Sequence, residues 1–333
     1  DYINFKLTGA FSTDFNDASG TNCFDLNSKS WSERILSLAK IDPALLPDAR
    51  ESTYVLGGVT REASEATGLA IDTPVVIGAG DGGCATVGVG CVSEGVCYNY
   101  LGSSSWISTA STAPMIDESM RTFTWVHPVS GLYQPCGTMQ TAGSSVAWIA
   151  SELFGDRMDE LNREAGGSPP GANGIIFLPY LLGERSPRWN PNAKGAWIGL
   201  KLANKRGDLA RAALEGVAFN LEIVLSILRT QLPVNELILI GGGAQSPVWR
   251  QIIADIYGVR ILVPEYLEEA TSMGAAIIGG VGTGYFSFDE GAQRFIRIEQ
   301  QVEPNPDSSE QYALIKGVFE ECYTSLEATM SKL

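Results

Sequence analysis

An α/β or α+β layered fold in two domains is what this sequence predicts, and three observations carry it. The chain has 333 residues, more than one ordinary domain. Hydrophobic residues make up 44% and charged ones 18%, enough for a sizeable packed core. Short β-branched runs alternate with helical stripes along the whole length, and three strand ends run into glycine turns.

Taken in order, "DYINFKLTG" reads as an aromatic-apolar helix end closed by Gly9. Residues 10–25 are turn-rich, with Ser, Thr, Asp and Asn caps. A short helix is expected over 30–39, a loop broken by two prolines in "IDPALLPDAR", and another short helix over 60–69 closed by Gly68. A strand at 75–77 runs into "GAGDGG", which opens a helix through about Val89. "GVCYNYLGSSSWIST" (95–109) reads as two strands joined at Gly102–Ser105, followed by strands at 121–126 and 132–136. A helix over about 141–153 precedes "GIIFLPYLLGERSPRWNP", a buried strand leading into a polar loop. Residues 207–230 form the longest helix, with Leu209, Ala213, Val217, Leu221, Val224 and Leu228 on one face; that stripe is core. A strand over 237–240 meets the turn Gly241–Gly243, and Ser246, Pro247 and Gly258 read as N-cap, first turn and stop of the next helix. "VRILVP" returns as a strand, 270–280 is a helix of small residues, and 308–331 is an amphipathic helix.

Composition removes several functions. The formal net charge is −15, from 38 acids against 23 bases, and no basic stripe interrupts it. Nucleic acid is therefore not an expected partner. An acidic protein can still bind ATP through backbone N–H groups, Mg²⁺ and a few local charges. The six cysteines form no C-x-x-C pair, and His127, the single histidine, cannot complete a zinc set with them. Free thiols in a reducing cytoplasm are expected. Neither a signal-peptide pattern nor a bilayer-length apolar run is present, so a cytoplasmic protein with no membrane partner is the expectation.

The chemistry concentrates at the three glycine turns. Gly241–Gly243 precedes a helix whose free N–H groups point outward, which suits a nucleotide or a tight connection alone. "LGSSSW" (101–106) offers hydroxyl donors for phosphate, or is merely a serine-rich hairpin; Trp106 beside it is core or a face for a sugar's C–H groups. Gly78, Gly80 and Gly83 match G-x-G-x-x-G, yet Asp81 sits inside the turn and no acid follows about 20 residues on. A dinucleotide fits poorly there. Asp81 is then either a general base held ionised by the helix dipole or a cap of its own helix.

The order of these pieces resembles the FGGY carbohydrate kinases, nearest their xylulokinase-like members. "GAWIGLKLANKRGDLARAALE" (195–215) matches the family's second signature at Gly195, Trp197, Gly199, Leu200, Asp208, Leu209, Ala212, Ala213, Leu214 and Glu215. The resemblance runs from residue 1 to about 285. It implies an actin/Hsp70-like (ribonuclease H-like) ATPase fold, with 1–92 the end of a sugar-binding domain and 93–333 a nucleotide-binding domain. It implies ATP and Mg²⁺ as cofactors, a small-molecule sugar as partner, and compatibility with a homodimer. Position by position, Asp81 would be the base, Gly82 and Trp106 would border the sugar, and Gly102 and Ser103 would contact phosphates. Gly143 and the turn Gly241, Gly242, Gly243, Ala244 would flank adenosine.

Two departures qualify this. The family's opening D-x-G-T phosphate hairpin is not in these residues, so the chain is expected to be the latter portion of a kinase and inactive in isolation. Xylulokinase-like members usually carry Asn after the catalytic Asp; Gly82 here leaves the polyol or ketose open. Arg185 and Arg188 of "GERSPRWNP" are expected to be ion-pair partners rather than catalytic bases. The rival readings are an NAD-dependent oxidoreductase and a non-enzymatic sugar or nucleotide sensor of the same fold.

Overall fold

The computed structural model describes residues 1–333. Its centre is a seven-stranded sheet in the order Ile298–Val302, Arg260–Pro264, Glu236–Ile240, Cys97–Leu101, Ser105–Thr109, Tyr133–Met139, Phe123–Val126. Arg260–Pro264, Glu236–Ile240 and Cys97–Leu101 run parallel; every other pair is antiparallel. Ile238 faces Tyr98 across one ladder, and Tyr100 faces Trp106 across the next.

One face of the sheet carries the main core, 37 buried residues. Its spine is the helix Arg206–Arg229, where Ala213, Val217, Leu221, Val224 and Leu228 are all buried, as their spacing predicts. The opposite face carries the helices Asp81–Gly88 and Ala270–Gly282, which meet backbone to backbone. A Cβ built at Gly88 would stand 1.7 Å from the Ala270 carbonyl oxygen, and one at Gly274 1.8 Å from that of Cys84. Only glycine permits this approach, and it fixes the helix that begins at Asp81.

Residues 1–76 hold three two-stranded sheets, Ser12–Asp14 with Asp48–Arg50, Phe24–Asp25 with Ser30–Trp31, and Val55–Gly58 with Pro74–Val76. Their hydrophobic clusters contain only three buried residues each.

The expected strand pair over 95–109 is Cys97–Leu101 and Ser105–Thr109. Ser246 caps its helix by accepting the Trp249 N–H, and Gly258 ends it at φ 62°. Several elements differ from the sequence reading, among them the short strands Ser12–Asp14, Asp48–Arg50, Val55–Gly58 and Ala196–Ile198. Phe15–Gly20 is a six-residue helix inside a stretch read as turns, stabilised by Asp14, whose carboxylate accepts the N–H groups of Asn16 and Asp17. Met158–Gly166 buries only Leu161 and Ala165, too few to mark a stripe. Phe288–Phe295 buries only Gly291. The edge strand Ile298–Val302 is mostly exposed and is held chiefly by main-chain pairing, with only Val302 packed on the core, too little for a hydrophobic pattern to reveal. All six cysteines are free, and no helix is long and apolar enough to cross a membrane.

Candidate active site

Ligands of open parallel sheets gather beyond the carboxyl ends of the strands. There, Cys97–Leu101 and Glu236–Ile240 end side by side in glycine turns that border a cleft of about 780 Å³. The cleft brings together Gly102, Ser103, Gly143, Gly242 and Gly243, with Tyr100, Ser246 and Trp249 beside them. Gly241 and Ala244 belong to the same turn but face inward. A Cβ at Gly241, whose φ is 90°, would stand 2.8 Å from the Leu101 carbonyl oxygen, and Ala244 is fully buried.

The turns are joined by main-chain hydrogen bonds. Gly143 N–H donates to the Gly102 carbonyl at 2.9 Å, and Ala142 and Ser144 N–H donate to that of Ser103 at 2.9 and 3.1 Å. A Cβ at Gly143 would come within 2.5 Å of the Gly102 oxygen, so this seam also requires glycine. Gly243 is glycine for a packing reason, since its Cβ would meet Leu101 Cγ at 2.6 Å and the Trp249 ring at 2.9 Å. Gly242 is different. Its nearest neighbour would be Glu268 Oε1 at 3.7 Å, leaving its face open to the cleft. Ser246 Oγ donates to Asn162 Oδ1 at 2.8 Å, and Gln245 Nε2 to Glu268 Oε1 at 3.0 Å, so the polar rim is already oriented.

Asp81 lies outside that cleft, in the first turn of the helix Asp81–Gly88. The N-cap is Gly80, with no side-chain capping bond. Asp81 Oδ1 accepts the N–H of Gly82 at 2.8 Å, and the exposed carboxylate keeps its other oxygen free of protein partners. Asp81 is therefore not the N-cap residue, although it takes up one free N–H of the helix's first turn. Gly78, at φ 82°, makes the turn. Cβ atoms at Gly80 and Gly83 would stand 3.2 Å from Asp17 Oδ1 and 2.3 Å from Asn16 Oδ1. The motif's second and third glycines thus admit side chains of the Phe15–Gly20 helix.

A buried relay connects this turn to the cleft. Trp106 Nε1–H donates to Tyr98 Oη at 2.9 Å. Thr86 Oγ1 lies 2.8 Å from that hydroxyl and donates its own proton to the Gly82 carbonyl at 2.8 Å, so Tyr98 is the donor to Thr86. Trp106 also stacks on Tyr100, with ring centroids 4.1 Å apart, and Tyr100 lines the cleft. Trp106 is therefore half-buried between the two sites, with its N–H already engaged.

Residues 97–283 match the C-terminal domain of the FGGY family of carbohydrate kinases, and residues 1–88 match the N-terminal domain. The chain belongs to the FGGY family. A xylulose kinase of Staphylococcus epidermidis is 30% identical over 326 residues, covering 97% of this chain and 65% of that protein. A gluconokinase of Bacillus subtilis is 32% identical over 336 residues, covering 96% and 64%. Among solved structures, a ligand-bound xylulose kinase from Lactobacillus acidophilus superposes with TM-score 0.94 at 30% identity, and a gluconate kinase from the same organism with 0.93 at 29%; each covers 99% of this chain and 68% of the other. The FGGY chain thus spans somewhat less than two thirds of the length of these two curated relatives.

Glu184 and Asp14 are among the buried acids of this FGGY chain that escape sequence reasoning. Glu184 accepts N–H donors from Gln140, at the foot of the Gly143 turn, and from Arg185, and a third bond from Asn220 Nδ2 at 3.1 Å. Burial raises its pKa to about 7 against those hydrogen bonds. Asp14 is raised to about 6 by the same cause. Arg188 is an ion-pair partner as expected, bidentate to Glu320 at 2.8 and 3.1 Å and 4.1 Å from the Tyr323 ring centroid. Arg185 is not. It is exposed and has no carboxylate within 4 Å. Asn16, Asp17, Thr86, Tyr98 and Trp125 surround the Asp81 turn without having been singled out. Only "TDFNDAS" offered a signal, an N-cap pattern before a short helix.

Proposed function

We propose that this chain carries the catalytic base and the nucleotide cleft of an ATP-dependent kinase acting on a sugar or polyol hydroxyl, a pentulose such as xylulose foremost. The observation that carries this reading is the Asp81 carboxylate, exposed, with one oxygen held by Gly82 N–H and the other free. A group so placed takes the proton from a hydroxyl as its oxygen attacks the γ-phosphate; the phosphoryl group passes to that oxygen and ADP leaves. Gly102 and Ser103 meet the phosphates, Gly143 and the turn Gly241–Ala244 flank adenosine, and Gly82 and Trp106 border the acceptor. The domain boundary is placed at 92/93, after the Asp81 helix. The names of the relatives, xylulose kinase and gluconokinase, support the reaction class.

No group of three or more His, Cys, Asp or Glu side chains is arranged to hold a metal ion. This fits a Mg²⁺ that arrives on the nucleotide and keeps most of its waters, as that ion commonly does. Bound with the phosphates, it neutralises their charge.

The test is ADP release by the protein in its full natural sequence, with ATP, Mg²⁺ and either D-xylulose or D-gluconate. Release that requires one of the sugars is the expected result. Nucleotide binding without sugar-dependent release would favour a sensor, and binding of NAD in place of ATP would overturn the reading altogether.

A further inference from the structure

We propose that the Trp125 indole is the acceptor's platform beside Asp81, and that the site takes a neutral polyol or ketose in preference to a sugar acid. This rests on the reading of Asp81 as the base. Of the seven tryptophans, five donate their N–H to protein acceptors, namely Pro47 O, Tyr98 Oη, Met120 O, Leu209 O and Leu214 O. Trp125 and Trp148 do not. Trp148 is largely exposed and stacks on Trp197. Trp125 is half-buried and stands against the Asp81 turn.

Its placement is specific. Trp125 Cζ3 lies 3.1 Å from where a Gly82 Cβ would be, and its Nε1 lies 4.0 Å from the corresponding point on Gly20. The ring therefore reaches from the Asp81 turn to the end of the Phe15–Gly20 helix, whose Asp17 carboxylate, also exposed, faces Gly80. Any side chain at position 82 would push into the indole. Glycine there and tryptophan at 125 form one device, in which the ring fills space a residue-82 side chain would otherwise occupy.

The chemistry around this point selects a ligand. An aromatic face suits the C–H groups of a sugar, and a free indole N–H suits a hydroxyl oxygen. Asp17 and Asp81 offer acceptors for hydroxyl protons. Two exposed carboxylates beside this turn favour a neutral polyhydroxyl compound and disfavour an anion.

The probes are D-xylulose, D-gluconate and ADP, added in turn to the ¹⁵N-tryptophan-labelled protein in its full natural sequence while its indole N–H resonances are followed by NMR. D-xylulose should move the Trp125 resonance, identified by its absence in Trp125→Phe, at a concentration at least about tenfold below that needed for D-gluconate. Trp125→Phe, which keeps a ring and loses the donor, should weaken D-xylulose binding about fivefold, the size of one hydrogen bond. ADP should move Trp249 and leave Trp125 in place. A sugar that leaves the Trp125 resonance unmoved overturns the platform, and equal response to gluconate overturns the preference for a neutral acceptor. If ADP still moves Trp249 in those cases, the nucleotide half of the proposed function stands; if ADP moves nothing, that reading falls as well.

Discussion

The sheet-based half and the half that carries Asp81 shape their glycine turns by opposite means. In the sheet-based half, glycines meet main-chain carbonyls, Gly143 against Gly102 and Gly241 against Leu101, over a core of 37 buried residues. The cleft there is drawn by backbone and is indifferent to most side chains. In residues 1–92 the supporting sheets have two strands each, and the glycines of the Asp81 turn meet side chains, Asn16, Asp17 and Trp125. A cleft made of backbone suits a common cofactor. A pocket walled by side chains can change its acceptor through a few substitutions.

The largest way to break this comparison lies where the halves touch. Gly274→Val would force a Cβ into the Cys84 carbonyl across the helix contact that holds the Asp81 helix. Overpacking of this kind costs about 3 kcal/mol or more where backbone must move, read as a lowered urea midpoint. Gly279→Ala, on the same helix with nothing within 4 Å of its Cβ, should leave the midpoint unchanged or raise it, by about 0.5–1 kcal/mol.

Next in size is a pH effect that originates largely in the half that carries Asp81. Asp14 has its pKa raised from 3.8 to about 6 by burial. Between those values the folded chain binds more protons than the unfolded one, so stability falls as pH rises through that window. The contribution reaches about 3 kcal/mol at most, at ~1.36 per pH unit. Asp14→Asn keeps a cap acceptor and should flatten this slope in urea unfolding measured from pH 4 to pH 7. Glu184, raised to about 7, leaves a residual slope of the same sign extending to higher pH. An unchanged slope in Asp14→Asn would show that Asp14 is not the buried acid described.

The smallest effect sharpens the comparison within the cleft. Gly242→Val should weaken ADP binding about tenfold, or ~1.4 kcal/mol, with no change in the thermal midpoint, because its Cβ enters the cleft. Gly243→Val should instead lower the midpoint, since its Cβ enters Leu101 and Trp249. Calorimetry and thermal unfolding of the pair separate a ligand-facing glycine from a packing one.

How much of this was legible in the sequence follows the same division. The strand–glycine–helix units and the 206–229 helix were readable because local pattern and tertiary role agree there. Gly241–Ser246–Pro247–Gly258 spells its element outright. The surroundings of Asp81 were less readable because they meet from distant stretches. Asn16 and Gly83 come together across 67 residues of chain, and Trp125 reaches Gly82 from a strand of the other half. No spacing rule encodes such encounters. The G-x-G-x-x-G match shows the hazard from the other side, since two of its glycines answer to neighbouring side chains rather than to a pyrophosphate.

The central claim is that the glycines at 78–83 present a carboxylate and do not cradle phosphate. Asp81→Asn, in the protein with its full natural sequence, tests it most directly when sugar-dependent ADP release and ATP affinity are measured on the same preparation. The substitution keeps the shape and the Gly82 N–H contact while removing the proton acceptor. Release should fall about 10²–10⁴-fold, the range of general-base catalysis, with ATP affinity unchanged. Unaltered release together with tighter ATP binding would contradict the account, because that is what removing a negative charge from a phosphate-binding loop produces.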